Sequence, residues 1–244
     1  MINLYKEDFK EKDDFLIYNL GKINIVFSTA KNDRSFNRHK DYGINNLNSI
    51  VDYFNLKDIE YLNQIHSDKV YIYNGDETLK KEEGDALITN KEETAIGVFT
   101  ADCVPIIIVD EKNNTIAAIH SGWRGTFNSI VLRTLEKMEY EFNIDKDEIK
   151  VFIGPHIRQC CYEVSEELKE DFIDRTNINE DILFKGRNLN LEECILNDVR
   201  KFGVKENNIY SLKLCTYCED EVKLYSYRKS VGTYGRLFSF AFIK

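Results

Sequence analysis

At 244 residues the chain fits one large domain or two small ones and can bury a substantial core. A net charge of −9 and a pI near 5.1 exclude a general nucleic-acid surface, which needs a basic face. The segment from Met1 to Asp14 is charged and no apolar run approaches the length of a membrane span, so a cytoplasmic protein with no signal peptide and reduced cysteines is expected.

Strand signals recur along the chain, at residues 15–20, 22–28, 69–73, 86–89, 95–99, 105–109, 115–119, 150–153, 209–214, 223–227 and 237–242. Helical spacing interrupts them three times. Leu47, Ile50, Val51 and Phe54 follow a start signal at Asn45-Asn46. Ile130, Val131, Leu135 and Met138 lie within a helix over residues 127–142, with Thr126 as its N-cap. Leu191, Ile195, Val199 and Phe202 follow Asn190, with Glu193 completing a capping-box pattern. Many strands and few helices, without strict alternation, predict an α+β fold: mixed and antiparallel sheets in a sandwich flanked by a few helices. With two prolines, no repeat and no linker-like stretch, no domain boundary is visible and a single domain over 1–244 is expected.

Chemistry concentrates where apolar runs end. Asp110-Glu111-Lys112-Asn113-Asn114 reads as a five-residue hairpin loop that puts Val109 opposite Thr115. Extending that pairing brings Cys103, in Thr100-Ala101-Asp102-Cys103, close to His120, in His120-Ser121-Gly122-Trp123-Arg124-Gly125-Thr126. A thiolate and an imidazole in contact suit either metal ligation or a nucleophilic dyad, because the same contact lowers the thiol pKa. Taken singly, a cysteine beside a strand is usually a small buried hydrophobe, and a strand-end histidine usually a hydrogen-bonded structural group. After His120, glycines and a helix start could offer backbone N–H groups to an anion, with Arg124 adding a bidentate contact. A second basic stretch, Ser226-Tyr227-Arg228-Lys229-Ser230-Val231-Gly232-Thr233-Tyr234-Gly235-Arg236, reads as an anion pocket or as a solvated hairpin loop. His156, in Ile153-Gly154-Pro155-His156, is a candidate base or stacking residue. Cys215-Thr216-Tyr217-Cys218 has zinc-ribbon spacing but no second Cys-x-x-Cys. The adjacent Cys160-Cys161 is not expected to act as its mate without strain, which favours ordinary buried thiols.

Asn63-Gln64-Ile65-His66, Gly84-Asp85-Ala86, Thr100-Ala101-Asp102-Cys103-Val104-Pro105, His120 to Thr126, Ile153-Gly154-Pro155 and Cys215-Thr216 occur in the order seen in one family. The chain resembles the bacterial laccase-domain proteins, called polyphenol oxidases in older usage and purine nucleoside phosphorylases in current usage. The likeness runs from about Phe27 to Phe240. The resemblance implies a single-domain catalytic α+β fold with zinc held by His66, Cys103 and His120; nothing local brings His66 to the pair. It implies phosphorolysis of adenosine, inosine and methylthioadenosine, with some adenosine deamination. Arg124, Arg228 and Arg236 are the candidates to hold phosphate, Asn63 and Gln64 further substrate contacts, and Asp102, ahead of Asp68, the candidate for proton transfer.

Two departures bear on the phosphate contacts. Ala30-Lys31-Asn32-Asp33 stands where the family often carries an arginine and a glycine pair, and Arg228-Lys229-Ser230-Val231-Gly232 replaces Arg-Arg-Asp/Glu-Gly. A multicopper laccase is excluded by inventory, since four histidines cannot furnish a blue copper and a trinuclear cluster. Copper(II) can nonetheless displace zinc from such N/S ligands in vitro, which would give a copper-loaded oxidase side activity. The usual zinc-deaminase pattern of His-x-Glu and Pro-Cys-x-x-Cys is absent. A Cys103–His120 hydrolase and a non-catalytic metal- or nucleotide-binding module stand as alternatives, and the oligomeric state is not readable.

Overall fold

In a chain this rich in Ile, Val and Phe, runs apolar at every position must be covered on both faces, and that requirement builds the molecule. The computed structural model describes residues 1–230 and 235–244. Its strands are β1 (Ile2–Leu4), β2 (Lys10–Lys12), β3 (Phe15–Leu20), β4 (Ile23–Ser28), β5 (Asp58–Glu60), β6 (Val70–Tyr73), β7 (Ala86–Thr89), β8 (Thr94–Thr100), β9 (Val104–Asp110), β10 (Thr115–Ser121), β11 (Lys150–Ile153), β12 (Phe184–Lys185), β13 (Asn188–Leu189), β14 (Ile209–Leu212) and β15 (Leu237–Ile243). The helices are α1 (Asp41–Phe54), α2 (Trp123–Phe127), α3 (Ile130–Phe142), α4 (Glu166–Arg175), α5 (Glu180–Leu183) and α6 (Leu191–Phe202).

One sheet runs β1-β14-β11-β9-β10-β7-β6 and the other β2-β3-β4-β15-β8-β5. Both are mixed: β9–β10 and β4–β15 pair antiparallel, whereas β6–β7, β5–β8 and β11–β14 pair parallel. The alternation of side chains along each strand sorts the core into three layers. Ile107 and Val109 of β9 face Ile25, Phe27 and Val98 of the other sheet. Ile106 and Ile108 face the opposite way, onto Val131, Leu135 and Met138 of α3 and Ile195 and Val199 of α6. On the far side, Phe238, Phe240 and Phe242 of β15 pack with Leu47 and Ile50 of α1. The α+β sandwich expected from the pattern is therefore the fold, as one compact domain.

The differences from the sequence reading are local. Thr115 pairs with Asp110, not Val109, so the β9–β10 loop has four residues and the register moves by one. The Asp110 carboxylate causes this by accepting from the backbone N–H of Lys112 and Asn113 and from Asn113 Nδ2, while Asn114 takes φ 47°. Helix α1 starts at Asp41, not at Asn45-Asn46; Asn46 instead donates its side-chain amide to Ser35 O at 2.8 Å. The helix expected over 127–142 breaks at Ser129 (φ 58°), so Thr126 lies inside α2 and pairs its hydroxyl with Ser121 at 2.8 Å. At α6 the expected cap is present, Asn190 accepting from Glu193 N at 3.2 Å. Residues 223–227 form no strand; Tyr225 Oη donates to Asp33 O instead. Helix α4 escaped the pattern because Phe172 is its one fully buried residue.

Below β14, the buried Glu192 at the start of α6 accepts from Arg158 Nη2 (2.6 Å), Lys213 Nζ (2.9 Å) and Ser211 Oγ. Burial pushes its carboxyl up, but His156, Arg158 and Lys213 outweigh that and hold it at about 2. A depressed folded pKa gives stability that is complete above the unfolded value near 4.5 and is lost as pH falls towards 2. Glu192→Gln is expected to cost about 3 kcal/mol at pH 7 and less than half of that at pH 3. Urea midpoints of both proteins at the two pH values check this; an equal cost at both would refute it.

Candidate active site

His66, Cys103 and His120 come from three separate segments. His120 lies near the end of β10 and pairs with Pro105 of β9, while Cys103 sits in the turn between β8 and β9. That turn bends sharply, with Asp102 at φ 100°, and His66 itself holds φ 61°. Left-handed backbone at non-glycine residues costs energy and is held only where the surroundings over-determine it. For His66 the restraint is visible. Asp85, its side chain fully buried, accepts from the backbone N–H of His66 (3.0 Å) and Ser67 (2.6 Å) and from Ser67 Oγ (2.7 Å). The same carboxylate lies 2.8 Å from His120 Nδ1, so one buried anion orients both imidazole-bearing segments.

The three ligand atoms lie within 4.8 Å of one another, with His66 Nε2 3.8 Å from Cys103 Sγ. The His66 and His120 rings stand nearly perpendicular at 83°. Tetrahedral zinc with bonds of about 2.0–2.3 Å spans donor separations of about 3.3–3.8 Å, so this donor set fits such an ion and leaves a fourth position open. Gly122 is required here: a Cβ would stand 2.9 Å from the His66 ring and 3.1 Å from Cys103 Sγ. Burial raises the Cys103 thiol, yet the facing His120 and His66 bring it down to about 6. Burial lowers His120, and Cys103 with Asp85 outweighs that and pushes it up to about 9. Both shifts favour a thiolate beside an imidazolium.

The three residues line a cavity of about 880 Å³, within the range of about 300–1,000 Å³ usual for small-molecule sites. Its walls carry Phe99, Tyr162 and Tyr227, and Arg38, Arg228 and Arg236 also face it. Burial and the neighbouring Arg236 hold the Arg38 guanidinium below its ordinary value. Arg38 lies 5.0 Å from the Phe99 ring centroid and donates to Asn63 Oδ1 at 3.2 Å. Arg228 lies 5.0 Å from that of Tyr162 and donates to Glu163 O. Arg187 also borders the cavity but is engaged by Glu163 and Glu166.

The other expected site residues are placed as follows. Arg124 is exposed, lies over Trp123 at 5.0 Å and does not line the cavity; α2, with five residues, is too short to present an anion site. Gln64 does line it, but its amide is locked to β8 through Phe99 N (2.7 Å) and Phe99 O (2.8 Å). Asn63 stands behind Arg38. Asp102 borders the cavity with both oxygens engaged, by Thr216 Oγ1 (2.7 Å) and by Arg228 N (2.8 Å). Asp68 pairs with Arg133 at 3.1 Å, away from the cavity. His156 is buried and donates from Nδ1 to Gly154 O (2.8 Å), with burial bringing its pKa down to about 4; it does not reach the cavity. Val231, Gly232, Thr233 and Tyr234 of the basic stretch lie outside the described residues. Arg38 and the orienting role of Asp85 were not foreseen. Arg38 sits in no motif, whereas Gly84-Asp85-Ala86 was visible as a motif without a chemical role.

No helix among the described residues is long and apolar enough to cross a membrane. A relative from Clostridium acetobutylicum, named a purine nucleoside phosphorylase, is 43% identical over 239 residues, covering 98% of each chain. A relative from an unknown prokaryotic organism, named an adenosine deaminase, is 34% identical over 161 residues, covering 64% of this chain and 60% of its own. Among solved structures, the Bacillus licheniformis hypothetical protein YfiH superposes with a TM-score of 0.89 at 21% identity, covering 97% of this chain and 99% of its own. A family model described as multi-copper polyphenol oxidoreductase laccase matches residues 33–244, and the chain belongs to that family.

Proposed function

We propose that this protein is a zinc-dependent purine nucleoside phosphorylase acting on adenosine, inosine and methylthioadenosine, with adenosine deamination as a side activity. The observation that carries the reading is a thiolate and two imidazoles on one wall of a cavity that also presents Arg38, Arg228 and Arg236 in a chain of net charge −9. An acidic protein that gathers three guanidiniums around one cavity has built a place for an anion, and inorganic phosphate suits their fork geometry. The relatives' names fit that assignment.

Phosphorolysis of an N-glycosidic bond passes through an oxocarbenium-like sugar, so the protein must hold phosphate beneath the anomeric carbon and ease departure of the purine. Arg38, Arg228 and Arg236 hold and orient the phosphate, converting a bimolecular encounter into a positioned one. Tyr162 and Tyr227, which border the cavity, offer ring faces to the purine. Burial pushes the Tyr162 hydroxyl up to about 12, so it stays a donor at neutral pH. His66, Cys103 and His120 would hold the zinc, which when bound would supply Lewis acidity towards a water or the leaving base. Asp102, with Thr216 and the Arg228 backbone on its two oxygens, acts as a positioning residue that ties the Cys103 turn to the Arg228 segment. Arg124, being outside the cavity, is not part of the phosphate site.

The lowered Cys103 thiol beside His120 also favours a second reading, a nucleophilic Cys–His hydrolase. The test of the first is incubation of zinc-replete protein with inosine, with and without phosphate, followed by chromatography. Hypoxanthine and ribose 1-phosphate formed only in the presence of phosphate are expected. If neither inosine nor adenosine turns over, the phosphorylase reading is lost.

A further inference from the structure

Outside the cavity, the fold assembles a second group of soft ligands that the sequence disperses. The Sγ atoms of Cys160, Cys161, Cys215 and Cys218 all lie within 4.8 Å of one another. Cys160 Sγ is 3.7 Å from Cys215 Sγ and 3.7 Å from Cys218 Sγ. The adjacent pair serves after all because residues 159–161 form a turn, in which Cys161 N and Tyr162 N both donate to Arg158 O. That turn aims two neighbouring thiols at the Cys-x-x-Cys loop after β14, and the strain expected of consecutive cysteines does not arise. The isolated bridge between His156 and Cys215 fastens the two loops side by side.

We infer that these four cysteines form a second metal site, a closed four-thiolate site for a single zinc ion, distinct from the His66–Cys103–His120 group. The separations choose among the chemistries open to four thiols. A disulfide would need sulfurs about 2.05 Å apart, and all four cysteines are free. Tetrahedral zinc with Zn–S bonds of about 2.3 Å places its sulfurs about 3.8 Å apart, which the 3.7 Å contacts match. Thiolates select soft cations over calcium or magnesium, and four of them leave no open position, the mark of a structural site. The Arg158 backbone N–H donates to Cys215 Sγ at 3.5 Å, the kind of outer contact that steadies a thiolate ligand. Cys160 and Cys218 are exposed, so an ion can enter from solvent.

The position explains the use. The first loop continues into Tyr162 and Glu163, which line the cavity. The second supplies Thr216 to Asp102 and runs on to Arg228, whose backbone holds the other Asp102 oxygen. An ion here clips together, from outside, the two segments that shape the arginine side of the cavity.

The inference is tested by metal analysis of the full chain purified from zinc-supplemented culture. Wild type is expected to carry two zinc equivalents, Cys103→Ala one, and Cys215→Ser/Cys218→Ser one. One equivalent in wild type that Cys103→Ala removes would overturn it. One equivalent that Cys103→Ala keeps and the double variant loses would support it while refuting zinc at the first site. Because the double variant could misfold, wild type substituted with cobalt(II) gives an independent reading. Thiolate-to-cobalt charge-transfer absorption matching five thiolates per chain is expected, and absorption matching one would overturn the inference.

Discussion

Cys103→Ala is expected to abolish phosphorolysis, by about 10³-fold or more, and to remove zinc from the His66–Cys103–His120 site. The thiolate is the one anionic donor in that group; the two imidazoles left behind, their rings 4.8 Å apart, cannot hold a divalent ion closely without it. The fold should survive, because Cys103 is only half-buried at a turn and its loss opens no core cavity. A shift in unfolding free energy within about 1 kcal/mol is expected. Metal content and inosine turnover measured on the same sample decide the matter, and turnover retained by a variant that has lost the His66–Cys103–His120 zinc would refute the zinc reading. The rival hydrolase gives the opposite pattern in wild type: chelation would leave activity intact and alkylation of Cys103 would end it.

The residues at this site differ in how far the sequence discloses them. Cys103 immediately precedes β9 and His120 lies on the adjacent β10, so a hairpin argument reaches them even with the register misjudged by one, since β9 and β10 still open at the same end. The error came from the loop tip, where the Asp110 side chain replaces backbone partners and shortens the turn. The sandwich itself was legible because apolar runs such as β9 and β10 admit no other burial. Arg38 was invisible: it reaches the cavity from the segment before α1, and no local pattern connects that segment to β8 or to Arg236. Arg124 misled for the reverse reason, being next to the motif in sequence yet turned over Trp123 by the short α2. The four-cysteine cluster was misread because a spacing rule compares intervals along the chain, whereas two loops at the ends of the parallel strands β11 and β14 meet whatever their interval.

Asp85→Asn is expected to weaken metal binding at the His66–Cys103–His120 site by about 10–100-fold and to lower turnover with it. The native carboxylate is an acceptor only, and it takes the Ser67 N–H, the Ser67 hydroxyl, the His66 N–H and His120 Nδ1 at once. Burial raises its pKa, but the His120 and Ser67 contacts prevail and hold it below the usual carboxylate range. With Nδ1–H donating to Asp85, His120 keeps the Nε2 lone pair for the cluster. An asparagine has one acceptor oxygen and one NH₂ for the same partners. Turned one way it presses N–H against the Ser67 donors; turned the other it faces Nδ1 with a donor, and His120 must move its proton to Nε2, where it blocks ligation. Either choice leaves a buried polar group unmatched, so about 1–3 kcal/mol of folding stability should go as well. Stability loss alone would not change metal affinity below the melting transition. Zinc competition titrations on folded Asp85→Asn, run beside Glu192→Gln as a comparably destabilised control, separate the two effects. Native affinity in Asp85→Asn would mean that the carboxylate serves the backbone turn at His66 and not the imidazole of His120.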